Sequence, residues 1–219
     1  MKSIEFLTED KIELAFKYAD KYKLDVYDTK FALDVKEHCQ KFLQECKSSN
    51  SDPFILYRGV NESKDTIEKE VRLTDRRPLN MDKLLHQKIN YYLDDNYGHP
   101  YRNAMFCTGD LSSADYGNQT YYVFPTGDYD FLWSQNQQYD DLYMAWQKWT
   151  AGRTEPTFKL IQQEFIVDDF LKSARYTNQD IVRAAKSGNE IMMWTPMYYG
   201  IHAKYEHWEK LVEIMYDEK

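Results

Sequence analysis

Three short segments of the sequence place a polar side chain at the edge of an apolar run. The first segment ends in Arg58, the second runs through Thr108, and the third begins at Glu190. The ends of strands hold side chains rigidly, which is what a binding or catalytic site requires. An arginine can hold an anion by charge-assisted hydrogen bonds, and a fixed carboxylate can stabilise developing positive charge. The sequence therefore predicts a working site that joins Arg58 to Glu190.

The apolar runs themselves predict the strands that carry these residues. Residues 54–57 read as a buried strand that opens into a loop at Arg58 and Gly59. Residues 104–107 predict the strand that leads to Thr108, and residues 190–194 predict a strand that starts at Glu190. Arg102 precedes the middle strand, and for it a loop role is favoured over contact with a phosphate. A further strand is expected at 120–124, and residues 164–167 and 211–216 also favour strand.

Helical patterns precede and separate these strands. Apolar residues recur at helical spacing after Thr8, with Ile12, Ala15, Phe16 and Ala19 as the expected buried stripe. A single second helix is expected over 29–46. The other predicted helices cover 82–93, 140–149 and a segment capped by Thr177 or Asn178 that stops at Gly188, and residues 128–134 read as an aromatic-rich loop.

This mixture of elements predicts one α+β domain over residues 1–219. Residues 1–50 would form a helical N-terminal layer, and residues 54–219 would form the core. Strands and helices do not alternate regularly, which argues against a doubly wound sheet. Neither GxGxxG nor GxxxxGK[ST] occurs, so a Rossmann or P-loop nucleotide site is not expected.

Charge and composition narrow the expected partners. The 36 acidic side chains outnumber the 28 basic ones, so the net charge is -8 and extended nucleic-acid binding is not expected. The nearest basic group is Arg72, Arg76 and Arg77, which is read as a solvated or phosphate-contacting patch. A few arginines suffice for a small anionic ligand. The 19 tyrosines can pack a core and also line a polar cleft.

The cysteines and the N-terminus bear on the compartment. Cys39, Cys46 and Cys107 are odd in number, which argues against a disulfide framework and for a reducing environment. No Cys/His spacing resembles a zinc site, so no metal is expected. The N-terminus has no apolar run of the length of a membrane span or secretion signal, and a cytoplasmic location without membrane partners is expected. Cys107 is expected to be an inert, buried strand cysteine.

In their order along the chain, the three segments resemble the R-S-E pattern of mono-ADP-ribosyltransferases, the cholera-toxin-like group that includes phage-encoded enzymes. In that family one strand ends in an arginine that is often followed by glycine, as at Arg58. A second strand carries a Phe-x-Ser-Thr-Ser-like element, whose first serine Thr108 replaces. A third strand begins at a glutamate followed by aliphatic residues and a proline, as at Glu190 and Pro196. The resemblance covers residues 54–200.

The resemblance implies a fold, a substrate and roles for these residues. The fold would be ADP-ribosyltransferase-like, with split mixed β-sheets and flanking helices. NAD would be the substrate, and ADP-ribose would pass to a macromolecular acceptor, with protein favoured. Glu190 would stabilise the oxocarbenium-like sugar that forms as the nicotinamide–ribose bond breaks, oriented by Thr108. The implied NAD-binding residues are Arg58 for the diphosphate or ribose, Gly59 for close backbone approach, Thr108, and Tyr116 or Tyr57 for stacking on the nicotinamide ring.

Three positions depart from the family pattern. Arginine-modifying relatives carry a glutamate two positions before the catalytic one and others a glutamine, whereas this chain has Gly188. Gly109 and Asp110 replace the second and third polar residues of the middle element. Asp110 would either help to orient a base or mark a decayed site. Two alternatives therefore stay open: an NAD glycohydrolase, and a non-catalytic binding or inhibitor protein on the same fold.

Overall fold

The computed structural model describes residues 9–48, 54–77, 81–114, 117–137, 141–153, 157–163 and 165–217. Within these ranges the chain forms nine α-helices and two four-stranded antiparallel sheets. This confirms the α+β class, whereas the expectation of mixed sheets is wrong because every pairing between the described strands is antiparallel. No helix in these ranges combines the length and the apolar character that a membrane span requires.

The N-terminal part is helical, as expected, but it is divided differently. It contains α1 (Glu9–Tyr22), α2 (Val26–His38) and α3 (Gln40–Ser48). The single helix expected over 29–46 is wrong because the chain leaves helical geometry at Cys39, with φ -114° and ψ 27°. Asp25 starts α2 by accepting a hydrogen bond from the Tyr27 backbone. In α1 the buried residues are Ala15, Tyr18 and Ala19, so the expected burial of Phe16 and Ile12 is wrong.

The first sheet carries Arg58. Its strands, in spatial order, are β1 (Tyr57–Val60), β4 (Gln119–Pro125), β8 (Met197–His202) and β2 (Thr66–Glu70). Pairing in β1 begins at Tyr57 and not at residue 54, so Arg58 and Gly59 lie inside the strand and the predicted opening into a loop at that point is wrong. Arg58 is directly opposite Tyr121 in the register.

Thr108 and Glu190 each lie one residue outside a strand of the second sheet. The strands of this sheet, in spatial order, are β3 (Met105–Cys107), β7 (Ile191–Trp194), β5 (Asp130–Ser134) and β6 (Tyr176–Thr177). Thr108 comes after β3 and Glu190 before β7. The aromatic-rich loop expected over 128–134 is therefore wrong over residues 130–134, which form β5. Successive strand residues point to opposite faces, and accordingly Met193 packs in one hydrophobic core and Met192 in another.

Helices cover both cores. They are α4 (Lys83–Tyr97), α5 (Leu142–Ala151), α6 (Thr157–Gln162), α7 (Ile166–Ala174), α8 (Ile181–Ser187) and α9 (Trp208–Tyr216), with 3-10 turns at Tyr101–Asn103 and Leu111–Ser113. The strands expected at 164–167 and 211–216 are wrong over their described residues. Leu211, Ile214 and Met215 are buried at helical spacing, and α7 buries residues that recur in the same way.

Candidate functional site

The three predicted site residues come from strands that meet at one place. The Tyr57 backbone N–H donates to the Thr108 carbonyl at 2.7 Å, and the Thr108 N–H donates to the Tyr57 carbonyl at 3.0 Å. One residue earlier in the middle strand, Cys107 pairs with Ile191. Thr108 is therefore itself paired through its backbone. Arg58 and Glu190 each lie one residue from a paired position, at Tyr57 and Ile191 respectively.

Arg58 points from β1 towards the middle strand. Its Nη1 donates to the Phe106 carbonyl at 2.5 Å, and its guanidinium lies 5.8 Å from the ring centre of Tyr198. The Nε atom is buried and has no hydrogen-bond partner among the described residues. A buried unpaired donor is costly, so Arg58 retains a capacity to bind that the surrounding protein does not use.

Glu190 is held by an ion pair. Its Oε1 accepts a hydrogen bond from Arg102 Nη1 at 2.8 Å, and the two side chains are only 17% and 12% exposed respectively. Burial raises the pKa of the Glu190 carboxyl, and Asp141 raises it further, whereas Arg102 and Arg76 act in the opposite direction. The carboxylate thus lies in a place where its charge depends on nearby arginines.

The guanidinium groups of Arg76 and Arg102 both pack on Phe106. Their central carbons lie 4.3 and 4.5 Å from the centre of the ring, and Arg76 also donates to the Ala104 carbonyl. Burial, followed by repulsion from Arg58 and Arg102, lowers the pKa of Arg76 to about 10. Arg76 is thus repelled by both Arg58 and Arg102, and this concentration of positive charge makes the site a place that favours an anion.

These contacts correct two expectations. Arg76 is half-buried against Phe106 and is not part of a solvated patch with Arg72 and Arg77, which are exposed. Arg102 is not merely a loop residue, since it lies in the Tyr101–Asn103 turn and binds Glu190. The sequence showed an arginine before the middle strand, but its partner follows only from the pairing of that strand with β7.

Thr108 acts on the glutamate segment through the backbone. Its hydroxyl donates to the Gly188 carbonyl at 2.8 Å and accepts from the Asp110 N–H at 3.1 Å. Thr108 is 6% exposed, so both bonds are shielded from water. The Thr108 hydroxyl thus fixes the backbone two residues before Glu190, and this is how Thr108 would orient the glutamate.

Asp110 has a local structural partner. Its carboxylate accepts hydrogen bonds from the Ser112 N–H at 3.0 Å and from the hydroxyls of Ser112 and Ser113, each at 2.7 Å. The Ser113 hydroxyl, followed by Ser112, lowers the pKa of this carboxyl. Asp110 therefore caps the 3-10 turn at Leu111–Ser113.

The position of α8 gives a physical reason for glycine at residues 109 and 188, where the family pattern has polar residues. A Cβ atom at Gly109 would lie 1.9 Å from the Ala185 carbonyl oxygen, which leaves no room for a serine. Gly188 ends α8 with φ +73°, a left-handed conformation that favours glycine. The position two residues before Glu190 is therefore the end of a helix, which gives a physical reason for the missing acidic or amide side chain.

The other residues predicted to bind NAD are Tyr57, Gly59 and Tyr116. The Tyr57 ring lies 5.4 Å from the Tyr122 ring, on the face of β1 opposite to Arg58 because strand side chains alternate. The structure thus does not bring the Tyr57 ring to the arginine side. Gly59 is buried within β1, opposite Thr120. Tyr116 lies outside the described residues.

Other reactive groups near the site are occupied or inert. Burial raises the pKa of Cys107 to about 12, in keeping with the expectation of an inert thiol, and none of Cys39, Cys46 and Cys107 forms a disulfide. Away from the site, Asp34, Glu37 and His38 bring potential metal-ligand atoms together. Lys11 already binds both carboxylates, at 2.7 and 2.6 Å.

Comparison of the chain with protein-family models, with curated proteins and with solved structures finds no match. A function for this chain is therefore proposed from the residues and the geometry of the site.

Proposed function

We propose that this chain is a mono-ADP-ribosyltransferase, which cleaves the nicotinamide–ribose bond of NAD and transfers ADP-ribose to a macromolecular acceptor, with protein favoured. The observation that carries the proposal is the convergence of Arg58, Thr108 and Glu190. These residues are far apart in the chain, yet the strands that bear them are joined by the Tyr57–Thr108 and Cys107–Ile191 pairings. Their order is that of the R-S-E pattern, with Thr108 in the place of the serine.

The charges at the site suit a dinucleotide. Arg58, Arg76 and Arg102 form a cluster that lacks a matching number of carboxylates, so a diphosphate would relieve their repulsion. The buried, unpaired Nε atoms of Arg58 and Arg102 are further signs of unused binding capacity. Arg58 would anchor the diphosphate, as the family resemblance implies.

Glu190 would act on the sugar. When the bond between the anomeric carbon and the nicotinamide nitrogen breaks, its electron pair leaves with nicotinamide and positive charge develops on the ribose. A fixed, ionised carboxylate stabilises that charge more in the transition state than in the ground state. Thr108 holds the approach to Glu190 through the Gly188 carbonyl.

A hydrolytic variant is the second candidate, and Gly188 is the observation that favours it. As the left-handed end of α8, it offers no side chain to orient an acceptor. Water would then take the acceptor's place, and the chain would be an NAD glycohydrolase.

Labelled NAD, incubated with the purified protein in the presence and absence of cell lysate, tests both candidates. Transfer of label to a macromolecule supports the transferase, and nicotinamide release that does not depend on lysate supports the hydrolase. Glu190→Gln should abolish either activity, with a loss of at least about 100-fold if the electrostatic term resembles that of other preorganised sites. Glu68→Gln, at an exposed position of β2, is the matched control and should retain activity. If the wild type neither releases nicotinamide nor binds NAD, the enzyme proposal is refuted and the alternative of a non-catalytic binding protein remains.

A further inference from the structure

One contact of the site lies outside the three residues of the proposed pattern. Arg102 Nη1 donates to Glu190 Oε1 at 2.8 Å, with both side chains largely shielded from water. An isolated carboxylate in such a place would take up a proton, because the charged form loses its hydration. The proposed chemistry needs the charged form.

We propose that Arg102 is a positioning residue that keeps Glu190 ionised and fixes the direction of its carboxylate towards the reacting sugar. This inference rests on the proposed function only in the role that it gives to Glu190. The ion pair itself is a property of the chain and can be tested without substrate.

The arginine is held in place from two sides. Its backbone N–H donates to Asn90 Oδ1 at 2.9 Å, which ties the Tyr101–Asn103 turn to α4. Asn90 also donates to Asn103 Oδ1 at 3.3 Å, within the same turn. On the other side, the guanidinium packs on Phe106 at 4.5 Å. Arg102 therefore approaches Glu190 from a preorganised turn and not from a freely rotating loop.

Charged and titratable groups reach Glu190 from several elements. Arg102 comes from the turn before β3, Arg76 from the segment after β2, Asp141 from the start of α5, and Tyr176 from β6. Arg58, from β1, lowers the pKa of Cys107, whereas Glu190 raises it, so both groups lie within electrostatic reach of this thiol. Of these groups, Arg102 makes the hydrogen-bonded ion pair, whereas Arg76 donates to Ala104 instead. Without Arg102, burial and Asp141 would both favour the protonated carboxyl.

The decisive experiment measures the titration of Glu190 directly. In protein labelled with carboxyl-¹³C glutamate, the Glu190 signal is assigned by its loss in Glu190→Gln and then followed against pH. Arg102→Gln should move this titration upwards by at least about one pH unit, which is a tenfold change in proton affinity. Arg102→Lys should keep the Glu190 titration closer to that of the wild type than Arg102→Gln does, because a lysine retains the positive charge although it loses the fork geometry.

Two controls separate the ion pair from general effects. Arg153 stacks on Trp149 at 3.8 Å and is exposed, so Arg153→Gln removes a stacked arginine elsewhere and should leave the titration unchanged. Arg76→Gln removes the second guanidinium from the Phe106 ring and should shift the titration less than Arg102→Gln. If Arg102→Gln does not fold, Arg102→Met, which keeps an unbranched stem against Phe106, replaces it.

Activity gives the second readout. The acid limb of the pH profile of NAD cleavage should move upwards in Arg102→Gln, lowering kcat about tenfold on that limb while KM changes little. An unchanged Glu190 titration in a folded Arg102 variant would overturn the inference, as would an equal shift in Arg76→Gln. Absence of NAD cleavage by the wild type would instead sink the proposed function, and the titration would still decide whether Arg102 controls the charge of Glu190.

Discussion

Gly109 lies directly against the backbone of Ala185, so that a Cβ atom at this glycine would fall 1.9 Å from the Ala185 carbonyl oxygen and 2.7 Å from its Cα. The contact brings the end of the middle strand onto α8, the helix that ends just before Glu190. The R-S-E resemblance alone would suggest a polar residue at this position. The glycine has a packing reason, since the same contact that excludes a side chain brings Thr108 within reach of Gly188.

Replacement of Gly109 should therefore be costly. Gly109→Ala forces α8 away from the middle strand, and we expect the free energy of unfolding to fall by roughly 1–3 kcal/mol or more, as for other overpacked sites. Gly152→Ala is the matched control, because nothing lies within 4 Å of its added Cβ and its φ is -83°. That control should be neutral or slightly stabilising. Urea unfolding of both variants measures the difference, and equal stabilities would contradict the proposed contact.

Thr108 should show the value of its hydroxyl. Thr108→Val removes the bond to the Gly188 carbonyl and leaves the Asp110 N–H without this acceptor. An unpaired buried group costs about 1–3 kcal/mol, so the valine variant should be less stable by that amount, and nicotinamide release should fall with it. Thr108→Ser keeps both hydrogen bonds and should behave more like the wild type. A serine variant as weak as the valine variant would assign the loss to the missing methyl group instead.

Much of the fold follows from local patterns in the sequence, and the errors have identifiable causes. Periodic apolar positions predicted α1 and α4, and short apolar runs predicted β3, β4 and β7. The helix α8 was predicted with its end at Gly188, but Asp180 caps its start, so the expected cap at Thr177 or Asn178 is wrong. The polar strand β2 was not predicted, because its side chains face solvent on one side and its sequence carries no strong apolar pattern. α9 was mistaken for a strand because a short apolar run does not distinguish the two structures.

The site was only partly accessible from the sequence for a different reason. Arg58, Thr108 and Glu190 stood out because each follows or begins an apolar run. The ion pair of Glu190 with Arg102 joins residues 88 positions apart, and no local pattern encodes such a contact. It depends on the antiparallel pairing of β3 with β7, which is a tertiary property.

The thiols should be unreactive in the folded protein. Burial raises the pKa of Cys46 and Cys107 to about 12 and also raises that of Cys39. Because the thiolate is the reactive form, we expect no rapid reaction of the native protein with Ellman's reagent. All three thiols should react after unfolding in guanidinium chloride. Rapid labelling of a thiol in the native state would contradict the burial of that cysteine.

The Glu190 carboxyl should also leave a signature in the pH dependence of stability. Its pKa is raised in the folded protein, first by burial, whereas the unfolded chain has a value of about 4.3. The folded state therefore binds more protons between these two values, and stability falls as the pH rises through that interval. The contribution is fully present below the unfolded pKa and is lost above the folded one.

Glu190→Gln removes this titration while retaining the shape of the side chain. The difference in unfolding free energy between the variant and the wild type should therefore change with pH, with the glutamine variant gaining relative stability as the pH rises through the interval. Urea titrations of both proteins at a series of pH values give the two curves. Glu68→Gln, at an exposed site, should run parallel to the wild type. If the Glu190→Gln curve is parallel as well, the carboxyl has an ordinary pKa, and its ion pair with Arg102 fully offsets the cost of burial.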